Sequence, residues 1–401
     1  MAKSLYIHIP FCNQICSYCD FPKVFSQGQD TDAYLRALMA ELTLYEKKVG
    51  FAKLQTIYIG GGTPTVLTIP QLHQLFAHLH SMIDFHRLSE VSIEANPESL
   101  NDACKIACLK GHGVTRVSLG VQTFQEQHLK ILERSHDRKD VYKVVQLLDE
   151  ADFEINLDLI YAIPTQTIQD LKKDVKMLLQ LPITHVSAYS LILEAHTKFY
   201  LAYVNRQLDL VDNEVEAEMF EWVIDKLTAS GFDHYEISNF ARRQRSLHNM
   251  TYWENGSYIG VGLGAHGHLK GQAEIEAHLD KKGAPIEPEM LTGSHPIRYE
   301  NTRSIHAYKK ALEMGVLPVL NSHVLTKEAC IEESMFLGLR LMEGVNLKRL
   351  SARYNQDVFD LYRKRIDKLR KLDYVSLEAD TLRLTKQGLM MANDVFEAFL
   401  L

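Results

Sequence analysis

No apolar run in the 401-residue chain approaches the roughly eighteen residues a spanning helix needs, so the sequence offers no membrane-crossing segment. Positive charge is also in short supply. Lysine and arginine number 44 against 51 acidic residues, a formal balance of −7, so no global field gathers nucleic acid or anionic lipid. A proline at position 10 interrupts the opening Leu5-Tyr6-Ile7-His8-Ile9 before a signal-peptide core can form, and the expected residence is cytoplasmic. Low-complexity tracts and internal repeats beyond a βα period are absent, and 46% hydrophobic residues suffice for a large core. Cysteine is scarce too. Six residues cannot staple a chain of this length, which excludes a disulfide scaffold.

Three of those cysteines, Cys12, Cys16 and Cys19, nevertheless crowd into eight residues. Such crowding lets one loop fold its thiolates around an iron–sulfur cluster or a soft metal ion. The plainer alternative is three unrelated thiols. Cys104 and Cys108 lie four apart in the helix-like stretch from Asn101 to Lys110, which reads as one buried face. Cys330 is read as buried in the same way.

Short β-rich runs alternate with helical patterns along the first half, the signature of a parallel sheet or barrel. Six such runs begin at Leu5, Thr56, Glu90, Arg116, Ile155 and His185. Thr68 and Pro70 mark a helix start. Six units are fewer than a closed eight-stranded barrel needs, so the expected fold is α/β, a partial (β/α)6 barrel with a cleft over residues 1–198. Chemistry in such folds sits at the carboxyl ends of the strands, where the cysteine loop falls. Residues 199–318 form an accessory α+β region, with a helix from Asn213 to Ala229 and one strand from Tyr235 to Phe240. Within it, Gly271 to Arg303 is expected to be exposed loop. Residues 319–401 have the helix and hairpin order of a winged-helix-like module. Their near balance of charge favours packing or interaction over DNA binding.

Gly60-Gly61-Gly62-Thr63-Pro64 follows the second strand, where backbone without side chains can approach a ligand or simply turn tightly. Glu94, Gln122, Arg134 and Asp158 stand at or near successive strand ends, each readable alone as a solvated charge or a cap. His248, Tyr252 and Trp253 place an imidazole beside two flat aromatic faces.

The run from Tyr6 through Cys12 to Cys16-Ser17-Tyr18-Cys19 resembles the cluster loop of the radical S-adenosylmethionine (SAM) proteins of the oxygen-independent coproporphyrinogen III dehydrogenase family. The resemblance covers essentially the whole chain. It implies one [4Fe–4S] cluster on Cys12, Cys16 and Cys19, with SAM chelating the remaining iron. It carries the SAM contacts onto Tyr6, Gly61, Gly62, Thr63, Glu94, Gln122, Arg134 and Asp158, with Arg134 suited to a carboxylate and Tyr6 covering SAM from the first strand. Asp20-Phe21 stands where the dehydrogenase has a further cysteine, and the chain begins only eleven residues before Cys12, without the dehydrogenase's extension. His248-Asn249-Met250-Thr251-Tyr252-Trp253 resembles the His-Asn-x-x-Tyr-Trp motif of the family's haem-chaperone branch. That implies haem bound through His248, Tyr252 and Trp253 and passed to an acceptor protein. An electron donor and a transient membrane-protein contact fit the same picture, and nucleic acid does not. The rival reading is a radical SAM oxidoreductase acting on a porphyrin precursor. Gly260-Val261-Gly262-Leu263-Gly264-Ala265-His266 is expected to be a glycine-rich turn closing over the cleft. Ala162 and Thr165 replace glycines usual in the family, and Gly267 stands where serine is common.

Overall fold

The structure is a computed structural model that describes residues 2–270 and 296–401. The six expected parallel strands are all present: β1 (Ser4–Ile9), β2 (Thr56–Gly61), β3 (Glu90–Ala95), β4 (Arg116–Gln122), β5 (Glu154–Tyr161) and β6 (His185–Ser190). Each is buried on both faces, but the two faces differ in chemistry. Leu5, Ile7 and Ile9 of β1, and their counterparts on the other strands, pack outward into one large core with helices such as α1 (Thr31–Lys48) and α2 (Ile69–His80). Removing each such side chain from water contributes roughly 1.5–3 kcal/mol. The alternate residues face inward and are largely polar. Thr68 caps α2 in a capping box with Gln71, as the Thr-Pro signal predicts.

The accessory region extends the same sheet at both edges. After the helix Asn213–Ala229 comes a hairpin of β7 (Asp233–Glu236) and β8 (Asn239–Ala241), not the single strand expected. It lies antiparallel on β6. Strand β9 (Tyr258–Val261) pairs parallel with β1 on the other side, adding a seventh parallel strand. Then β10 (His266–Leu269), β11 (Ile297–Asn301) and β12 (Val319–Val324) follow antiparallel, so the sheet order is β12-β11-β10-β9-β1-β2-β3-β4-β5-β6-β8-β7. The core is continuous from Ala2 to Leu317.

Two loop expectations are corrected. Gly260 and Val261 belong to β9, and the turn after them packs on His8, Tyr34 and Pro22 instead of closing over the cleft. Gly260 and Gly262 are required there, because a Cβ at either would meet the His266 or His8 carbonyl oxygen. Of the expected loop 271–303, residues 271–295 lie outside those described, and Ile297–Asn301 is strand. A serine at position 267 would strike the Tyr299 ring, which explains the glycine. Ala162 and Thr165 both hold positive φ, at 57° and 68°, the conformation that the family's glycines suit.

From Lys327 onward a second core forms around Met335, Tyr362, Ile366 and Phe399. Helices Lys327–Gly338, Leu347–Tyr354 and Val358–Lys371 precede the hairpin Val375–Glu378 and Thr381–Leu384, the order of a winged-helix module. It docks on the β7 edge through the Arg340–Glu236 ion pair and backbone bonds from Ile237 and Met342.

Candidate functional site

The cysteine loop leaves the carboxyl end of β1 and is closed by a short parallel bridge, in which the Val24 amide donates to the Pro10 carbonyl and Ser26 to Cys12. Gly62 donates to Ile9 and Thr63 to Phe11, which fastens the glycine segment beneath the loop. Here the absent side chain is necessary. A Cβ on Gly62 would lie 2.8 Å from the Phe11 carbonyl oxygen and 2.9 Å from Cys12 Sγ. Cys12, Cys16 and Cys19 all line one cavity of about 470 Å³. Burial pushes the Cys12 thiol up to about 11 and raises that of Cys19, so their thiolates require a positive partner.

The cavity brings together Gly61, Gly62, Thr63, Glu94, Gln122, Arg134 and Asp158 from the expected set. Glu94 accepts from the Gly61 amide at 2.9 Å and the Tyr58 hydroxyl at 2.8 Å, yet burial still raises its carboxyl to about 7. Asp158 accepts from Ser118 and Asn156, and burial raises it to about 6. Gln122 takes a φ of 67° where the β4–β5 register shifts. Arg134 is held by the Asn96 side chain and the Gly120 carbonyl, both at 2.7 Å, and its Nη1 lies 3.6 Å from Cys16 Sγ. Its buried Nε has no partner among the described residues. That orphaned donor, three convergent thiols and the glycine cradle fit a cluster carrying an anionic ligand.

Tyr6 is not brought to the cavity wall. It stacks behind Tyr58, with ring centroids 6.2 Å apart, and its hydroxyl lies 3.0 Å from His8 Nδ1.

The expected haem ligand lies within the accessory region, below the cysteine-lined end of the cavity. The helix Leu247–Trp253 crosses the amino ends of the inner strands and forms the floor of the barrel. Glu90, the first residue of β3, accepts from the Leu247 and His248 amides and pairs with Arg116. His248 is fully buried. Its Nδ1 lies 2.9 Å from Thr56 Oγ1 and its Nε2 2.8 Å from the Tyr252 hydroxyl, and burial lowers its pKa to about 3. In this arrangement neither nitrogen is open to an iron. Trp253 is covered by the Arg340 guanidinium at 4.3 Å.

Sequence reasoning missed most of the inner wall: Tyr58, Ser118, Asn156, His185, Ser187 and Tyr189. Asn156 links this wall by bonding Ser118, Asp158, Ser187 and His185. The signal was available. Each residue occupies the inward register of its strand. Of the helical thiols, Cys108 and Cys330 are buried as expected, whereas Cys104 is exposed and off the buried face.

The parallel sheet, strand-end cysteine loop and separate C-terminal module define a radical SAM protein of the HemN type. Residues 6–178 match the radical SAM superfamily, and residues 325–391 match the HemN C-terminal domain. Heme chaperone HemW of Lactococcus lactis is 40% identical over 405 residues, covering all of this chain and 97% of that protein. The Bacillus subtilis heme chaperone HemW is 40% identical over 401 residues, covering 99% of each chain. The chain belongs to the HemW family. Among solved structures, coproporphyrinogen III oxidase (HemN) of Escherichia coli, a radical SAM enzyme, aligns with a TM-score of 0.80 at 21% identity. That alignment covers 100% of this chain and 90% of the other, and shows the shared fold.

Proposed function

We propose that this protein binds haem and delivers it to an acceptor protein, while holding a [4Fe–4S] cluster and SAM in the barrel. Full-length likeness to proteins named heme chaperones carries this reading. Phe21 supports it, because an exposed phenyl at the cavity mouth stands where the dehydrogenase family has a cysteine. Cys12, Cys16 and Cys19 would hold the cluster. Gly61, Gly62, Thr63, Glu94, Gln122, Arg134 and Asp158 would hold SAM, the arginine meeting its carboxylate and the acidic groups its amine or ribose hydroxyls. When bound, this pair supplies one-electron chemistry. The residues of the inner wall orient the ligand and exclude water from the thiolates.

Haem is cargo in this reading. The segment from His248 to Trp253 remains the proposed haem motif, and on this reading an arrangement with His248 held by Thr56 and Tyr252 is its closed form. Ligation by His248 requires release from Thr56 and Tyr252 and movement of the helix Leu247–Trp253 away from Glu90. Thr56→Val should therefore tighten haem binding by loosening His248, whereas His248→Ala should abolish the native haem spectrum. Unchanged haem affinity in both variants would restrict His248 to building the barrel floor. No helix among the described residues is long and apolar enough to cross a membrane. Cytoplasmic residence, where clustered thiols remain reduced, belongs to the same proposal, as do an electron donor and a transient membrane-protein contact.

The rival reading is a porphyrinogen oxidoreductase, in which the remaining cavity volume accepts a substrate beside SAM. Product analysis under reducing, oxygen-free conditions separates the two. Accumulation of protoporphyrinogen over several turnovers would favour the oxidoreductase.

A further inference from the structure

On the outer face of the barrel, two helices present a donor cluster unrelated to the cavity. His73 lies on α2, Cys108 on α3 (Ala103–Gly111), and His112 caps the carboxyl end of α3. One donor atom from each lies within 4.8 Å of the other two. His73 Nδ1 is 2.7 Å from His112 Nε2, and Cys108 Sγ is 3.8 Å from His73 Nε2.

The sequence spacing explains the convergence. Cys108 and His112 stand four residues apart and share one helix face, while His73, Phe76 and His80 recur on the facing side of α2. The Phe76 ring stacks on His112 at 4.9 Å with the planes 8° apart, which fixes the imidazole plane. His80 adds a further imidazole, its ring 5.6 Å from that of His112.

We propose that His73, Cys108 and His112 bind one divalent, borderline-soft metal ion, zinc being the best match, which clips α2 to α3. Two imidazoles and a thiolate suit zinc, with bonds of about 2.0–2.3 Å and tetrahedral geometry. Those bonds place the donor atoms roughly 3.3–3.6 Å apart, so the two imidazoles separate slightly from their 2.7 Å contact while the thiolate closes in. His73 is exposed and free to move. His80 or water takes the fourth position.

The test uses the cluster-loaded protein, so that the loop cysteines are already committed. After dialysis against zinc with a competing chelator, elemental analysis should find one zinc per chain in addition to the iron. Cys108→Ala and His112→Ala should lose it, and His73→Gln, at an exposed position that cannot unfold the core, should weaken it at least tenfold. Cys104→Ala, on the same helix but outside the cluster, should retain it. Cobalt substituted for zinc should give a thiolate-to-metal absorption that Cys108→Ala lacks. A wild-type protein that retains no zinc, or a zinc content indifferent to both Cys108→Ala and His73→Gln, overturns the proposal.

Discussion

Thr56 Oγ1 lies 2.9 Å from His248 Nδ1 beneath the cavity, joining the first residue of β2 to a helix 192 positions later. Thr56 donates its own proton to Ser4, so the ring's Nδ1–H donates to Thr56 and Nε2 accepts from Tyr252. The His248 ring also packs on Tyr58, at 5.2 Å between centroids, and Tyr58 holds Glu94. The motif segment therefore supports the cavity from below.

His248→Ala should consequently cost stability as well as haem. Two buried hydrogen bonds and a packed ring are lost, on the order of 2–4 kcal/mol. Denaturant unfolding of the haem-free protein measures this, and SAM affinity should fall with the displaced Tyr58. A variant as stable as wild type would contradict the closed arrangement.

Replacing Cys12, Cys16 and Cys19 together by Ala should abolish the cluster. Iron analysis after anaerobic reconstitution checks it. Four irons retained with the usual brown absorption would refute the ligand assignment.

Gly62→Ala should lose more than half of the reconstituted iron, since its Cβ meets the Phe11 carbonyl oxygen and Cys12 Sγ. Gly111→Ala is the control, with nothing within 4 Å of its Cβ at a helical position. It should keep its iron and gain slightly in stability.

Glu94 gives a pH dependence with a defined sign. Its folded pKa, about 7, exceeds the ordinary 4.5, so its full contribution is present below 4.5 and is lost as pH rises through 7. Ligand-free Glu94→Gln should therefore be more stable than wild type at pH 8, by about 3 kcal/mol at most, and equal to it near pH 4. A cationic ligand should conversely bind wild type more tightly from pH 6 to 8. Thermal unfolding across that range tests the first claim, and the reverse ordering would contradict it.

The legible parts of the sequence were those whose signals are local. The strands beginning at Leu5 and Glu90, the cap at Thr68 and the cysteine loop all rest on residues near one another in the chain. Tyr58 and Asn156 were missed because their role arises from strand register. The seventh parallel strand, Tyr258–Val261, was missed because its short Gly-rich run pairs with β1 across more than 250 residues. The enclosure of His248 by Thr56 and Tyr252 was not legible, because an imidazole beside aromatics has the same sequence whether it faces a cofactor or Thr56. Only the tertiary fold distinguishes the two.

Haem delivery is the central claim, and transfer from the cluster-loaded protein to a haem-free globin tests it most directly. Loaded with one equivalent of haem and mixed with the globin, the protein should lose its own Soret band as that of the globin grows, with wild-type stoichiometry near one. Absence of saturable haem binding, together with haem reaching the globin no faster than from free solution, would contradict the account.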